Sequence, residues 1–223
     1  FLETGQVIDL INKTITKLKK SEDICLPDGV ALVMTPWFSP FISTMIYVID
    51  AVSRGDSVII KPSSGSPNTT QVLSDMFSDA FPDYYIKVIL KGRNVNRSLL
   101  NIEYDKIYFS GSKETGKTVM EKAYENLTPV KLDVCDVCAY ILRKSDNIRD
   151  AAQFIVDNKY IFCGQHKDAI DYVLVDNEVS DEFKKILIEE TEEITGGDPL
   201  VYDSYGKIRN KESYERLCKL MDK

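Results

Sequence analysis

Apolar residues change their spacing several times along the chain, and each change marks an element. Over residues 5–20, Val7, Ile8, Leu10, Ile11, Ile15 and Leu18 recur at helical spacing, with lysines gathered at the far end. That pattern predicts an amphipathic helix with cations near its C-terminus. After Pro27-Asp28-Gly29 the period gives way to the continuous apolar run Val30-Ala-Leu-Val-Met34, as a strand buried in a parallel sheet requires. The alternation then repeats. A helix over 41–52 precedes a strand over 57–60, a helix over 67–81 a strand over 86–90, and a short helix over 95–102 a strand over 106–109. The loop 110–116 opens a helix over 117–126. Helices of this length between strands are βαβ units and predict a parallel α/β sheet with helices on both faces.

Beyond Pro129 the pattern predicts strands over 130–132, 139–142 and 172–175, and a helix over 147–160. A charged helix over 180–194 stops at Gly196-Gly197, as helix C-termini often do. Its acidic cluster, Glu189, Glu190, Glu192 and Glu193, reads as a solvated face, with a docking patch as the alternative. No internal repeat, low-complexity tract or long linker interrupts the chain.

Composition narrows the class. The 223 residues allow one large domain or two small ones, at roughly 100–200 residues each. A 43% hydrophobic fraction beside 28% charge describes a chain with a real core. With 28 basic against 35 acidic side chains the net charge is −7, which argues against a general grip on nucleic acid or an anionic membrane. Apolar runs break well before the ~18 residues of a membrane-spanning helix. No basic stretch followed by an apolar one marks a secretory signal. The chain starts at Phe1, as a processed product or an excised fragment would. Five cysteines, an odd number, point to a reduced, cytoplasmic compartment.

Motifs sit at the joints of this pattern. Trp37-Phe-Ser-Pro40 follows the first strand and Lys61-Pro-Ser-Ser64 the second. Ser110-Gly-Ser-Lys-Glu-Thr-Gly-Lys117 follows a later strand; Leu127-Thr-Pro-Val-Lys-Leu132 and Cys163-Gly-Gln-His-Lys167 come after it, the last ahead of Asp171-Tyr-Val-Leu-Val175. In order and spacing the chain resembles the aldehyde dehydrogenase superfamily, most closely its fatty-aldehyde branch, from about residue 5 to the end. The resemblance implies a Rossmann-like nucleotide-binding domain over 1–145. Residues 146–223 would form a truncated part of a catalytic subdomain, since family members are about twice as long and nothing here matches their remaining half. It also implies chemistry in which a cysteine thiolate attacks an aldehyde. An asparagine amide then steadies the oxyanion, a nicotinamide takes the hydride and a glutamate activates water.

Matched residue by residue, those roles are not filled. The nucleophile position falls on Lys167 and its upstream asparagine on Phe162; a lysine cannot form the thioester, and a Schiff base on it leads to no acid product. Cys163 is the substitute candidate, placed on the other side of the Gly164-Gln165 turn, where its sulfur should point elsewhere. The oxyanion asparagine is Phe38, which has no donor; loss of one such donor typically costs ~10²–10³ in rate. The base is Asp133, one methylene short, and two glycines beside the nicotinamide become Cys135 and Asp136.

Cofactor positions survive in part. Lys61 matches the lysine that meets the adenosine ribose, while its acidic companion is Ser64. Gly111, Ser112 and Gly116 match a turn at a helix N-terminus, which is either an anion site or simply a tight strand-to-helix turn; Lys113 would assist a phosphate. No cofactor is expected to be required, with NAD or NADP the alternative. The spacing Cys135-x-x-Cys138 and Cys163-x-x-His166 has zinc-site form. Against it, Cys135 and Cys138 stand three apart on an extended segment and face opposite ways, so ordinary thiols remain the other reading. The resulting expectation is a catalytically inactive relative acting in protein contact or self-association. An NAD(P)-dependent dehydrogenase with a divergent site is the competing one.

Overall fold

The run Val30–Met34 is the middle strand of the structure, and the rest of the first half is built around it. The computed structural model describes residues 2–21, 26–90, 92, 94–134, 137–196, 198–199, 201 and 205–222. The chain divides into two compact units, Phe1–Cys135 and Asp136–Lys223. The division precedes the sequence boundary at 145/146, because the strand Cys138–Leu142 pairs with Ile170–Val175 and not with the first sheet.

The first unit holds α1 (Leu2–Lys20), β1 (Val30–Met34), α2 (Pro40–Ser53), β2 (Ser57–Lys61), α3 (Pro67–Ala80), β3 (Ile86–Val88), α4 (Asn94–Leu100), β4 (Lys106–Gly111), α5 (Lys113–Glu125) and β5 (Val130–Val134). Its five strands are parallel in the order β3-β2-β1-β4-β5. Alternate residues of β1 serve opposite faces. Ala31 and Val33 pack with Val7 of α1, Met45 and Val48 of α2 and Leu73 and Phe77 of α3. Leu32 and Met34 pack with Leu100 of α4 and Val119 and Ala123 of α5. A strand buried on both sides must be apolar throughout, which is why the run lacks the in-out alternation of a half-exposed strand.

Several boundaries move from those predicted. Helix α5 begins at Lys113, four residues early, because Ser112 caps it: its Oγ accepts from Thr115 N at 3.3 Å. Gly116 therefore lies inside the helix and not in a loop. A Cβ there would stand 2.9 Å from Val134 Cγ1, so glycine is what lets α5 lie against β5. Helix α4 ends at Leu100, and β3 ends at Val88 although Ile89 N still donates to Ile60 O at 2.8 Å.

The second unit holds β6 (Cys138–Leu142), α6 (Ile148–Lys159), a 3-10 turn (Ile161–Gly164), β7 (Ile170–Val175), a second such turn (Asn177–Val179), α7 (Ser180–Thr195) and α8 (Lys211–Met221). Strands β6 and β7 form a two-stranded parallel sheet. One face packs Leu142 and Ile170 against Ala151, Ala152 and Ile155 of α6 and Phe183 of α7. The charged helix thus folds back onto α6, and its acidic side is partly tied by Arg149 to Glu189 and Glu190. Helix α8 lies outside every predicted element. Among the described residues no helix is long and apolar enough to cross a membrane.

Candidate functional site

In a parallel sheet whose chain runs outward on one side of a central strand and returns on the other, the C-terminal strand ends enclose a crevice. Here that reversal lies between β1 and β4. The segments that resemble family motifs in the first unit, after β1, β2, β4 and at the end of β5, all leave this edge.

Behind β1, Phe38 is 5% exposed, with its ring edge-on to Trp37 at 6.0 Å. It is a core residue and offers no hydrogen to an oxyanion. Ser39 follows in the left-handed region (φ 40°), a strain of roughly 1–2 kcal/mol for a residue with a Cβ, and leaves α2 without a side-chain cap. The cap comes from a distance: Glu3 Oε2 accepts from Phe41 N at 3.1 Å and Ile42 N at 3.0 Å. A carboxylate of the chain itself thus sits on the positive end of α2.

Behind β2, Lys61 is 4% exposed and donates to Pro62 O at 2.6 Å. Burial lowers the pKa of its ammonium. Behind β4, Ser112 serves as the α5 cap, and a Cβ on Gly111 would stand 2.9 Å from Phe109 Cζ. The glycines and serine of this turn are thereby accounted for by packing and capping, whereas Lys61 is not.

At the end of β5, Asp133 Oδ2 accepts from Tyr47 OH at 3.0 Å and from Ser110 Oγ at 3.2 Å. Ser110 and Asp133 are register partners across β4 and β5, and Tyr47 reaches them from α2. Burial first, then the charge of Asp133, pushes the Tyr47 phenol well above the usual tyrosine range. The carboxylate that resembles a catalytic base is therefore a fastening between α2 and the sheet. Cys135 and Asp136 lie outside the described residues.

The nucleophile-like loop lies in the second unit. Phe162 (φ 51°), Cys163 (φ 57°) and Gly164 (φ 68°) are consecutive left-handed residues, two of them strained by their Cβ atoms. Cys163 Sγ donates to Tyr205 OH at 3.3 Å, beside a groove of about 510 Å³ lined by Pro199, Tyr205, Ile208 and Tyr214. Burial, then the thiol, raises the Tyr205 pKa. Gln165 fastens the loop, donating to Phe162 O and Lys207 O and accepting from Arg209 N. Lys167 Nζ lies 3.0 Å from Asp168 Oδ1, and Lys167 O accepts from Cys138 Sγ at 3.7 Å. His166 stacks on Phe162. Among the described residues no three His, Cys, Asp or Glu side chains gather where they could hold a metal ion, and Cys135 of the zinc-form spacing is outside that set.

Sequence reasoning missed Glu3, Tyr47, Ser110 and Tyr205. Only Ser110 left a signal, standing beside the Gly111 turn on a strand next to that of Asp133.

The aldehyde dehydrogenase family profile matches residues 4–223. The chain is 33% identical over 196 residues to 4,4'-diaponeurosporen-aldehyde dehydrogenase of Staphylococcus aureus, covering 88% of this chain and 43% of that protein. It is 32% identical over 197 residues to aldehyde dehydrogenase family 3 member A2 of Pongo abelii, covering 88% and 40%. Among solved structures, a substrate-bound aldehyde dehydrogenase of S. aureus superposes over 100% of this chain and 52% of its own, with a TM-score of 0.87 at 29% identity. Betaine aldehyde dehydrogenase of S. aureus in complex with NAD+ covers 88% of this chain and 40% of its own, with a TM-score of 0.77 at 28% identity. The chain spans less than half the length of these curated relatives, and over that span both its sequence and its fold assign it to the aldehyde dehydrogenase family.

Proposed function

We propose that this chain is a non-catalytic member of the aldehyde dehydrogenase family, acting through protein contact. The observation that carries the reading is Lys167, which stands at the nucleophile position, ion-paired with Asp168 and without a sulfur to hold an acyl group. Three others support it. Phe38 is packed into the core, Asp133 is occupied by Tyr47 and Ser110, and the Cys163 thiol is directed at Tyr205. The free thiols Cys138, Cys163 and Cys218 support a reducing, cytoplasmic setting.

Contact is supported by the outer face of β6 and β7. Ile141 is 66% and Leu174 53% exposed; they are register partners, and the neighbouring pair Ala139 and Tyr172 shares their face. A parallel sheet is normally covered on both sides. An apolar patch is complementary to itself, so a second copy about a two-fold axis is the occupant we assign.

Two measurements test the reading. Hexanal with NAD or NADP is expected to give no acid or reduced nucleotide above background, from the native chain or from Lys167→Cys, since Phe38 still supplies no oxyanion donor. Turnover by the unmutated chain would sink the proposal. Sedimentation equilibrium at tens of micromolar is expected to show a dimer. A strict 25.3 kDa monomer would remove the contact role, and a complex with another protein alone would replace the second copy.

A further inference from the structure

We propose that residues 205–209 form a strap that holds the turn at 162–164 in its strained left-handed state and covers the Cys163 thiol. The strap opens locally, within the folded second unit, and releases both. Two opposed features make this device: a turn that stores strain and a clamp that buries nothing.

The strain comes from two side chains. Phe162 (φ 51°) and Cys163 (φ 57°) are consecutive left-handed residues that carry a Cβ, and Gly164 (φ 68°) follows them. In this conformation the Cβ crowds the next carbonyl oxygen, so each residue is more stable in an ordinary helical or extended one. Such residues persist only where surrounding contacts impose the conformation. The Phe162 ring stacks on His166 with 6.2 Å between centroids, yet it is 37% exposed, so no core holds it in place.

The imposing contacts come from the strap. Gln165 Nε2 donates to Lys207 O at 3.1 Å and its Oε1 accepts from Arg209 N at 3.1 Å, so one amide grips the strap backbone twice. The same Nε2 donates to Phe162 O at 2.7 Å, which ties the turn to the strap through a single side chain. Cys163 Sγ donates to Tyr205 OH at 3.3 Å, and the Tyr205 ring stands edge-on to Tyr160 at 5.9 Å. Gly206 brings the two backbones together: a Cβ there would lie 3.4 Å from Cys163 N and 3.5 Å from Phe162 C.

What the strap lacks is an anchor. Among the described residues from 205 to 222 none is buried, and none belongs to the apolar cluster of the second unit. Helix α8, into which the strap runs, starts at its Asn210 cap and exposes Tyr214, Leu220 and Met221. Segments with few buried contacts and solvent-facing hydrogen bonds open at free energies well below that of global unfolding. Here a few hydrogen bonds, each of modest net worth, oppose two strained residues, so the open form lies close to the closed one. Closed, the thiol is committed to Tyr205; open, it is free to react.

The experiment follows alkylation of each cysteine of the full chain by iodoacetamide, resolved by peptide mass spectrometry. The reaction forms an S–C bond to the acetamide group, expels iodide and releases the thiol proton to solvent. Cys138, within the paired strand β6, reports any wider unfolding of the second unit. Cys163 is expected to react about 10-fold or more faster in Gln165→Ala than in the native chain, the factor that loss of two neutral hydrogen bonds supplies, with Cys138 unchanged. Tyr205→Phe keeps the ring and removes only the partner of the thiol, and is expected to give a smaller acceleration in the same direction. Phe162→Asn, which accepts the left-handed conformation at lower cost, is expected to slow Cys163 severalfold below the native rate. Native reactivity of Cys163 equal to that of the urea-unfolded chain would mean that nothing covers the thiol and would overturn the proposal. So would an unchanged rate in both Gln165→Ala and Tyr205→Phe. Joint acceleration of Cys163 and Cys138 in either variant would mean that the second unit unfolds as a whole, and local opening would be overturned. An unchanged or faster rate in Phe162→Asn would overturn the role given to strain.

Discussion

Both sheets of this protein are parallel, yet the five-stranded sheet is covered on two faces and the two-stranded sheet on one. Ala31, Leu32 and Val33 of β1 have no exposed surface, with a separate apolar cluster on each side. Strands β6 and β7 have one cluster, against α6 and α7, and expose Ile141 and Leu174 on the other side. Two parallel strands alone are at best marginal, so the second sheet depends on its helices and on whatever meets its open face. The contrast extends to the positions that resemble functional ones. Lys61 and Asp133 sit at the ends of strands in the covered sheet, held by burial and by paired hydroxyls. Cys163 and Lys167 sit in or beside a left-handed turn that a glutamine fastens. The difference between the two sheets is thus one of coverage: the first is enclosed on both faces, while the second leaves Ile141 and Leu174 open.

The largest expected effect tests the covered sheet. Ile60 of β2 has no exposed surface, and Ile60→Ala removes buried methyl and methylene groups and leaves a cavity. A loss of about 3–4 kcal/mol is expected in urea unfolding followed by fluorescence, within the range for such truncations. A loss below ~1 kcal/mol would mean that the first sheet is no better packed than the second, and the comparison would fail.

Next comes the fastening at Asp133. Asp133→Ala leaves the buried Tyr47 hydroxyl without its acceptor, at a cost of about 1–3 kcal/mol, whereas Asp133→Asn keeps an acceptor oxygen and should lose less. Equal losses for the two would show that the charge, not the hydrogen bond, matters.

The same phenol gives a pH signature. Tyr47 has a folded pKa raised above its ordinary value of 10.0, so it stabilises the fold fully below pH 10, and that stability drains away as pH rises further. The sign follows from the unfolded chain releasing its proton first. Tyr47→Phe should therefore make the fall of stability with pH above 10 shallower by about 1.4 kcal/mol per pH unit. An unchanged slope in alkaline urea titrations would show that the phenol ionises in the folded protein.

Much of the covered sheet was legible in the sequence because its physics is local. A continuous run such as Val30–Met34 has one reading when helical periods flank it. The start of α5 was hidden because Gly116 reads as a loop residue until the approach of Val134 explains it. Helix α8 has Tyr214, Leu217, Cys218 and Met221 at helical spacing, but none of its residues is buried and charge dominates its composition. At the site, the identities at Phe38, Asp133 and Lys167 were readable, and what they touch was not. Tyr47 meets Asp133 from 86 residues away, and Tyr205 meets Cys163 from 42. Nor does any residue type announce a left-handed Phe162 or Cys163, since that conformation is imposed by surroundings and opposed by each residue's own Cβ.

The smallest expected effect is on the open face, and it is the one that separates the two sheets most directly. Ile141 projects away from the α6 and α7 cluster, so Ile141→Thr removes little buried surface and retains β-branching suited to a strand. In dilute solution, below the concentration at which copies associate, the change should cost less than ~0.5 kcal/mol, the usual range for exposed positions. At tens of micromolar the same substitution should weaken association, because a hydroxyl replaces apolar contact at the centre of the face. The two measurements are made on one variant at two concentrations, so a folding defect and a contact defect cannot be confused. A loss of 2 kcal/mol or more in the dilute monomer would mean that Ile141 is buried within a single chain in solution, and the second sheet would then be covered on both faces like the first.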